Sequence, residues 1–392
     1  MGTSISSSLS PPCSAGQYTE SAHGDGTFGV SNRATGFASG NCAHCHEFHA
    51  SSGGSEPAPV DGAASPFTLF TENFNTSATV APYAESDNIC FYCHRGTGCS
   101  FQQVTNYDYS RSFAGYTIST LTNILDTFNQ TSYHNLYDIW NFYKDKSGAD
   151  FFNDLSNPCV ACHNPHLAKK NSADPTDPAQ TCVSKPSDHE TLWGDGASEQ
   201  INDYTAAYQA PFFYNSSVVY EPGGSATSNG SLTPDYITFC TDCHNTTNTI
   251  YSTTLVRNLR SINWSTSGDV HGGGSARDAY SNKGTIKAPY DEASGPNYVL
   301  SCLDCHEPHG SSSKYLLRRE VNGVAVPQLT VDTNTDSAWL TFCAACHDVT
   351  VEGVGNPCGS SVHGGYPMPG TSCVNCHYHG RTMCPPPFCK TM

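Results

Sequence analysis

Apolar positions along this 392-residue chain come in short clumps, not in long periodic runs. The clearest helical pattern is YHNLYDIWNFYKDK, residues 133–146, which predicts an amphipathic helix. Two other clumps, SSVVYEP at 216–222 and NGVAVPQLTV at 322–331, predict short strands or hairpin arms. Between the clumps, residues 50–66, 222–234 and 265–288 are rich in Gly, Ser and Pro and predict loops. No run of about 18 apolar residues occurs, so no membrane-spanning helix is expected.

Such a pattern does not build a conventional core. Hydrophobic residues make up 37 % of the chain, beside 34 Gly and 24 Pro, which alone would suggest disorder. The 20 Cys and 21 Tyr argue otherwise: something besides packed aliphatic side chains organises the chain. Net charge is −17 with 18 Lys plus Arg, and the only adjacent basic pairs are Lys169–Lys170 and Arg318–Arg319. That distribution excludes a nucleic-acid footprint and disfavours anionic membranes. The opening MGTSISSSLSPPC lacks the basic and apolar regions of a signal peptide. It fits a myristoylation pattern, which is set aside because the cysteine chemistry below needs export. The numbering is read as starting near a mature terminus.

Cys-x-x-Cys-His occurs seven times: Cys42–Cys45–His46, Cys90–Cys93–His94, Cys159–Cys162–His163, Cys240–Cys243–His244, Cys302–Cys305–His306, Cys343–Cys346–His347 and Cys373–Cys376–His377. This is the attachment pattern of c-type haem. Two thioethers anchor one porphyrin edge, and the next residue, His, reaches the iron as the proximal ligand. Structural zinc pairs distant Cys-x-x-Cys units but gives no reason for His to follow the second Cys seven times, and neither does a disulfide scaffold. Seven covalently bound haem c groups are therefore expected.

Ten of the 17 histidines are not proximal: His23, His44, His49, His134, His166, His189, His271, His309, His363 and His379. His49, His166 and His309 each follow a proximal His by three residues. On a helical turn those two would point the same way, so the second should serve a different haem. Chain order then shows a repeat. His23, His134 and His271 each open a unit that continues through a motif with the +3 His and a motif without one, and His363 opens a final half-unit. The distal candidates are thus His23, His49, His134, His166, His271, His309 and His363, giving each of seven irons two imidazoles. His44 lies between two anchoring cysteines and is poorly placed to ligate. His189 is an alternative to His134, and His379 is either solvated or a spare ligand.

Cys13, Cys99, Cys182, Cys358, Cys384 and Cys389 lie outside the motifs and allow up to three disulfides of open connectivity. The expected fold class is a multihaem cytochrome c: mostly coil and loop, short helices at the motifs, few short strands, haems as the core. The chain is one haem-wrapped unit, with subdivisions 1–120, 121–260 and 261–355 holding one haem pair each and 356–392 the seventh haem.

SAHGDG followed by CAHCHEFH, then CHNPHLAKK and CHEPHGSSSKYLL, resembles the extracellular multihaem cytochromes that polymerise into conducting filaments, the OmcS-like cytochrome nanowires. The resemblance implies a continuous haem line, a homopolymer, and an early His that ligates a haem of the next subunit, a role that falls on His23. It implies export to the cell surface and electron delivery to redox partners or external acceptors. A monomeric shuttle is the alternative. A nitrite, hydroxylamine or sulfur-oxyanion reductase is disfavoured, because no variant motif marks an open iron. No catalytic residue is expected.

Overall fold

A computed structural model describes residues 18–47, 66–95, 123–146, 152–166, 240–264, 271, 285–287, 302–330, 337–348, 377–378 and 381–382, apart from 22, 28, 32, 34, 35 and 323. The described chain is mostly coil. Its helices are short: α1 (Ile124–Phe128), α2 (Leu136–Tyr143), α3 (Cys302–Cys305) and α4 (Ser337–Ala344). Its strands are two-residue pieces: β1 (Ser132–Tyr133), β2 (Tyr251–Ser252), β3 (Arg257–Asn258), β4 (Thr285–Ile286), β5 (Gly310–Ser311), β6 (Glu320–Val321), β7 (Val324–Ala325), β8 (His347–Asp348), β9 (His377–Tyr378) and β10 (Arg381–Thr382). They pair antiparallel as β1–β5, β2–β3, β4–β8, β6–β7 and β9–β10. The expected fold class, coil with short helices at the motifs and few strands, is the one observed.

The helix expected over 133–146 forms only over Leu136–Tyr143. Asn135 starts it, accepting from the Asp138 backbone N–H. Tyr133 is drawn into β1, whose partner β5 is remote in sequence (Ser132↔Ser311, Tyr133↔Gly310). The Ser132 hydroxyl donates to Ser313 O at 2.5 Å and accepts from Leu316 N at 2.8 Å. Gly310 has to be glycine: a Cβ there would sit 2.0 Å from Thr127 O. The strand expected within 322–331 appears as β7. The loop expected over 265–288 contains β4, made by tertiary pairing with β8 and extended by Lys287 N–H to Cys346 O at 2.8 Å. No local alternation signals it. The strand expected at 216–222 and the loops at 50–65 and 222–234 lie outside the described residues.

Apolar packing is divided among small clusters. Tyr83, Phe91, Phe128 and Leu136 form one, and Tyr143, Phe152 and Ala161 another. Leu317, Leu329, Ala338 and Trp339 form a third, and Val321, Val326 and Ala345 a fourth. Helix α2 bridges the first two through Leu136 and Ile139 on one side and Ile139, Trp140 and Tyr143 on the other. Each buried Phe or Leu stabilises by about 1.5–3 kcal/mol, so among the described residues these clusters brace neighbouring segments.

Two distant stretches are mounted alike. Glu47 N–H donates to Thr68 O at 2.7 Å, and Glu307 N–H donates to Leu316 O at 2.8 Å. Phe70 N–H reaches Cys45 O and Arg318 N–H reaches Cys305 O. Phe67, Thr68, Tyr315 and Leu316 all have positive φ, a left-handed backbone costly for bulky residues. The strain is repeated at equivalent places behind the first and fifth motifs, as expected of an internal repeat.

Candidate haem-binding centres

Each described motif is one tight turn closed on its first cysteine. Cys45 and His46 both donate to Cys42 O, Cys93 and His94 to Cys90 O, Cys162 and His163 to Cys159 O, and Cys243 and His244 to Cys240 O. His306 donates to Cys302 O in α3. Asparagine starts three of these turns: Asn41 accepts from Ala43 N, Asn88 from Cys90 N and Asn157 from Cys159 N, each at 2.9 Å. The 12 described motif cysteines are all free thiols, as haem attachment requires.

The imidazoles are prepared to coordinate. His46 Nδ1–H donates to Phe67 O at 2.9 Å, and His306 Nδ1–H donates to Tyr315 O at 2.8 Å, the two carbonyls turned by the left-handed backbone. His23 donates in the same way to Pro165 O at 2.7 Å, and His134 to Pro308 O. A proton held on Nδ1 leaves the Nε2 lone pair for a metal. Burial, then neighbouring imidazoles, push His94, His134 and His163 down to about 3, so they stay neutral. Burial also lowers His166, His244 and His306.

Four proximal histidines each face one distal candidate. Ring centres are 6.1 Å apart for His46–His166, 6.2 Å for His23–His94, 6.0 Å for His163–His309 and 6.0 Å for His134–His244. A ring nitrogen binds a first-row metal at about 2.0 Å and lies about 1.1 Å from its ring centre, so trans imidazoles on one ion have centres roughly 6.2 Å apart. The donor sets therefore fit a six-coordinate haem iron between each pair. Among the described residues, no group of three or more His, Cys, Asp or Glu gathers around one point as tetrahedral zinc would require.

The pairing follows a register. The +3 histidine of the third motif, His166, faces the proximal His of the first, and that of the fifth, His309, faces the third. The opening histidines His23 and His134 face the second proximal His of their own units. Between proximal and +3 His, the carbonyls of Pro165 and Pro308 hold His23 and His134. One Cys-His-x-Pro-His segment thus presents two imidazoles and a hydrogen-bonding carbonyl to three successive centres. The geometry expected for the +3 His was a helical turn shared with the proximal His. The motif turn instead ends before the proximal His (Pro158–Ala161 and Cys302–Cys305), and a proline follows. Tyr18 packs edge-on against His166, and Phe128 against His309.

Consecutive motifs are neighbours in space. Cys90 lies beside Cys159 and Cys240 beside Cys302, close enough for each pair to perturb one another's thiols. Cys45 is within electrostatic reach of Cys90, Cys162 of Cys240, and Cys305 of Cys346. Order in space therefore follows order in sequence from the first motif to the sixth. A buried asparagine pair locks the second motif to the third: Asn157 Nδ2 donates to Asn88 Oδ1 at 3.0 Å and to Asn73 O at 2.7 Å, and Asn88 Nδ2 donates to Asn157 Oδ1 at 3.3 Å.

The other expected residues are placed as follows. His271 is half-buried, and His347 and His377 stand in β8 and β9. His44 is buried with Nε2 on Ala38 O at 3.0 Å, a structural role. His23, given by the resemblance to a neighbouring subunit's haem, faces His94 of its own chain because the Pro165 carbonyl holds it there. His49, His189, His363, His379, Cys373, Cys376 and the six non-motif cysteines lie outside the described residues. Sequence reasoning missed the asparagine starts and the proline carbonyls, although Asn one or two places before the first Cys and Pro two places after His are both visible in the motifs.

A protein family described as having a doubled CXXCH motif matches residues 295–326. No curated protein matches the chain, and no solved structure does.

Proposed function

We propose that this multihaem c-type cytochrome carries electrons along a line of seven bis-histidine haems and, assembled with copies of itself outside the cell, delivers them to external acceptors. The observation that carries the reading is the set of four imidazole pairs at 6.0–6.2 Å, strung in sequence order by contacts between motifs. Haem supplies a one-electron couple when bound. The chain's part is to hold it: Cys42, Cys45, Cys90, Cys93, Cys159, Cys162, Cys240 and Cys243 would attach the first four, and the four imidazole pairs would ligate them. Cys302, Cys305, Cys343, Cys346, Cys373 and Cys376 serve the fifth to seventh with His306, His347 and His377. His49, His271 and His363 are left as their distal partners. Filled axial positions suit transfer of electrons without binding of substrate.

Assembly into a homopolymer rests on the resemblance. The charge of −17 opposes it at low ionic strength, so contacts between copies need bridging cations or buried propionates. Adding CO or nitrite to the native, as-isolated protein tests the carrier reading. Unchanged spectra are expected, and a haem that binds either ligand would point to a reductase. Electron micrographs test the polymer, and separate particles at all concentrations would remove it.

A further inference from the structure

The residue that follows the proximal His differs between the mountings. In the third motif it is Asn164, a neutral side chain whose Oδ1 accepts from His166 N at 3.0 Å. In the first it is Glu47, ion-paired with Arg33 at 3.3 Å. In the fifth it is Glu307, whose side chain is 9 % exposed and whose Oε1 lies 2.9 Å from His309 Nδ1 and 3.4 Å from His309 N. Other distal imidazoles have neutral carbonyls on Nδ1: Pro165 for His23 and Pro308 for His134.

We propose that Glu307 is a redox-tuning residue, setting the centre between His163 and His309 at a lower potential than a neutral partner would. This rests on the bis-histidine reading above. A carboxylate accepting the Nδ1–H makes the imidazole a stronger donor through Nε2, and a stronger donor favours the ferric over the ferrous ion. The carboxylate also adds a negative charge near the iron in a site of low polarity, with the same sign of effect. One electron enters on reduction, and the proton stays on Nδ1 throughout. The fifth motif thereby governs the third centre, two places back along the line, while its own proximal His306 rests on the neutral Tyr315 carbonyl.

Spectroelectrochemical titration of the holo-protein tests this with Glu307→Gln, Glu307→Asp and Asn164→Glu. Gln is expected to raise the midpoint of one redox component and leave the others in place. Asp should keep it near the wild-type value. Asn164→Glu, which puts a carboxylate beside His166, should lower a different component. If Glu307→Gln keeps its haems and moves no midpoint, or if Asp moves it as far as Gln does, the proposal is overturned. His309→Ala separates the two claims. A new CO-binding haem in that variant upholds the bis-histidine reading even where Glu307 has no effect, and its absence removes both.

Discussion

At the scale of single residues, the candidate centres are facing imidazoles, four of which, His23, His46, His134 and His306, are held through Nδ1 by backbone carbonyls. His166→Ala removes the partner of His46 at 6.1 Å, so one haem of the set should turn high-spin and bind CO while the rest stay low-spin. Optical titration with CO reads the fraction. Buried imidazoles also set a pH dependence. Burial pushes His94, His134 and His163 down to about 3 in the fold, against an ordinary value near 6.5 when unfolded. Between those values the unfolded chain binds more protons, so stability rises with pH across that window and is lost as pH falls from about 6.5 towards 3. Proton competition for Nε2 acts in the same direction. Denaturant midpoints should therefore be lower at pH 4.5 than at pH 7, and a higher midpoint at pH 4.5 would contradict the neutral assignment. The candidate proximal histidines and anchoring cysteines are visible in the sequence, because attachment chemistry would fix their spacing. The carbonyls of Phe67, Pro165, Pro308 and Tyr315 are not, because a backbone acceptor leaves no residue signature.

At the scale of elements, the ladders register one unit against another. β1–β5 brings Ser132 and Tyr133 to Gly310 and Ser311, and so sets His134 beside the fifth motif. Gly310→Ala puts a methyl 2.0 Å from Thr127 O; the shift needed should cost about 1–3 kcal/mol, read as a lower melting temperature. Carried to the third unit, the same register gives a prediction. His23 and His134 face the second proximal His of their units, so His271 should serve His347, whose strand β8 is already joined to β4. His271→Ala should create one CO-binding haem, and that haem should vanish when Cys343 and Cys346 are also replaced by Ala. If it persists in the triple variant, His271 serves a different centre. Short elements such as β4 escaped sequence reading because two residues of pairing need no alternation. Helix α2 was visible from its apolar spacing but ran long, since nothing local announced that Tyr133 would be taken by a strand 177 residues away.

At the scale of the molecule, the described residues pack in small apolar clusters beside a series of neighbouring motifs. The low apolar content foretold this, and the expected coil with short helices is the observed architecture. The order of centres in space was not legible, because it is set by contacts such as Cys90–Cys159 and Asn88–Asn157 between remote segments. Asn157→Ala strips partners from Asn88 and from the Asn73 carbonyl, a loss of about 1–3 kcal/mol for buried polar groups. It should also slow electron exchange between the second and third haems, as flash photolysis with a surface photoreductant would show. The account is tested most directly by near-infrared magnetic circular dichroism of the oxidised, as-isolated protein, quantified per chain. Seven low-spin bis-imidazole haems are predicted. Fewer haems than motifs, or a high-spin or histidine–methionine signal in native material, would contradict it.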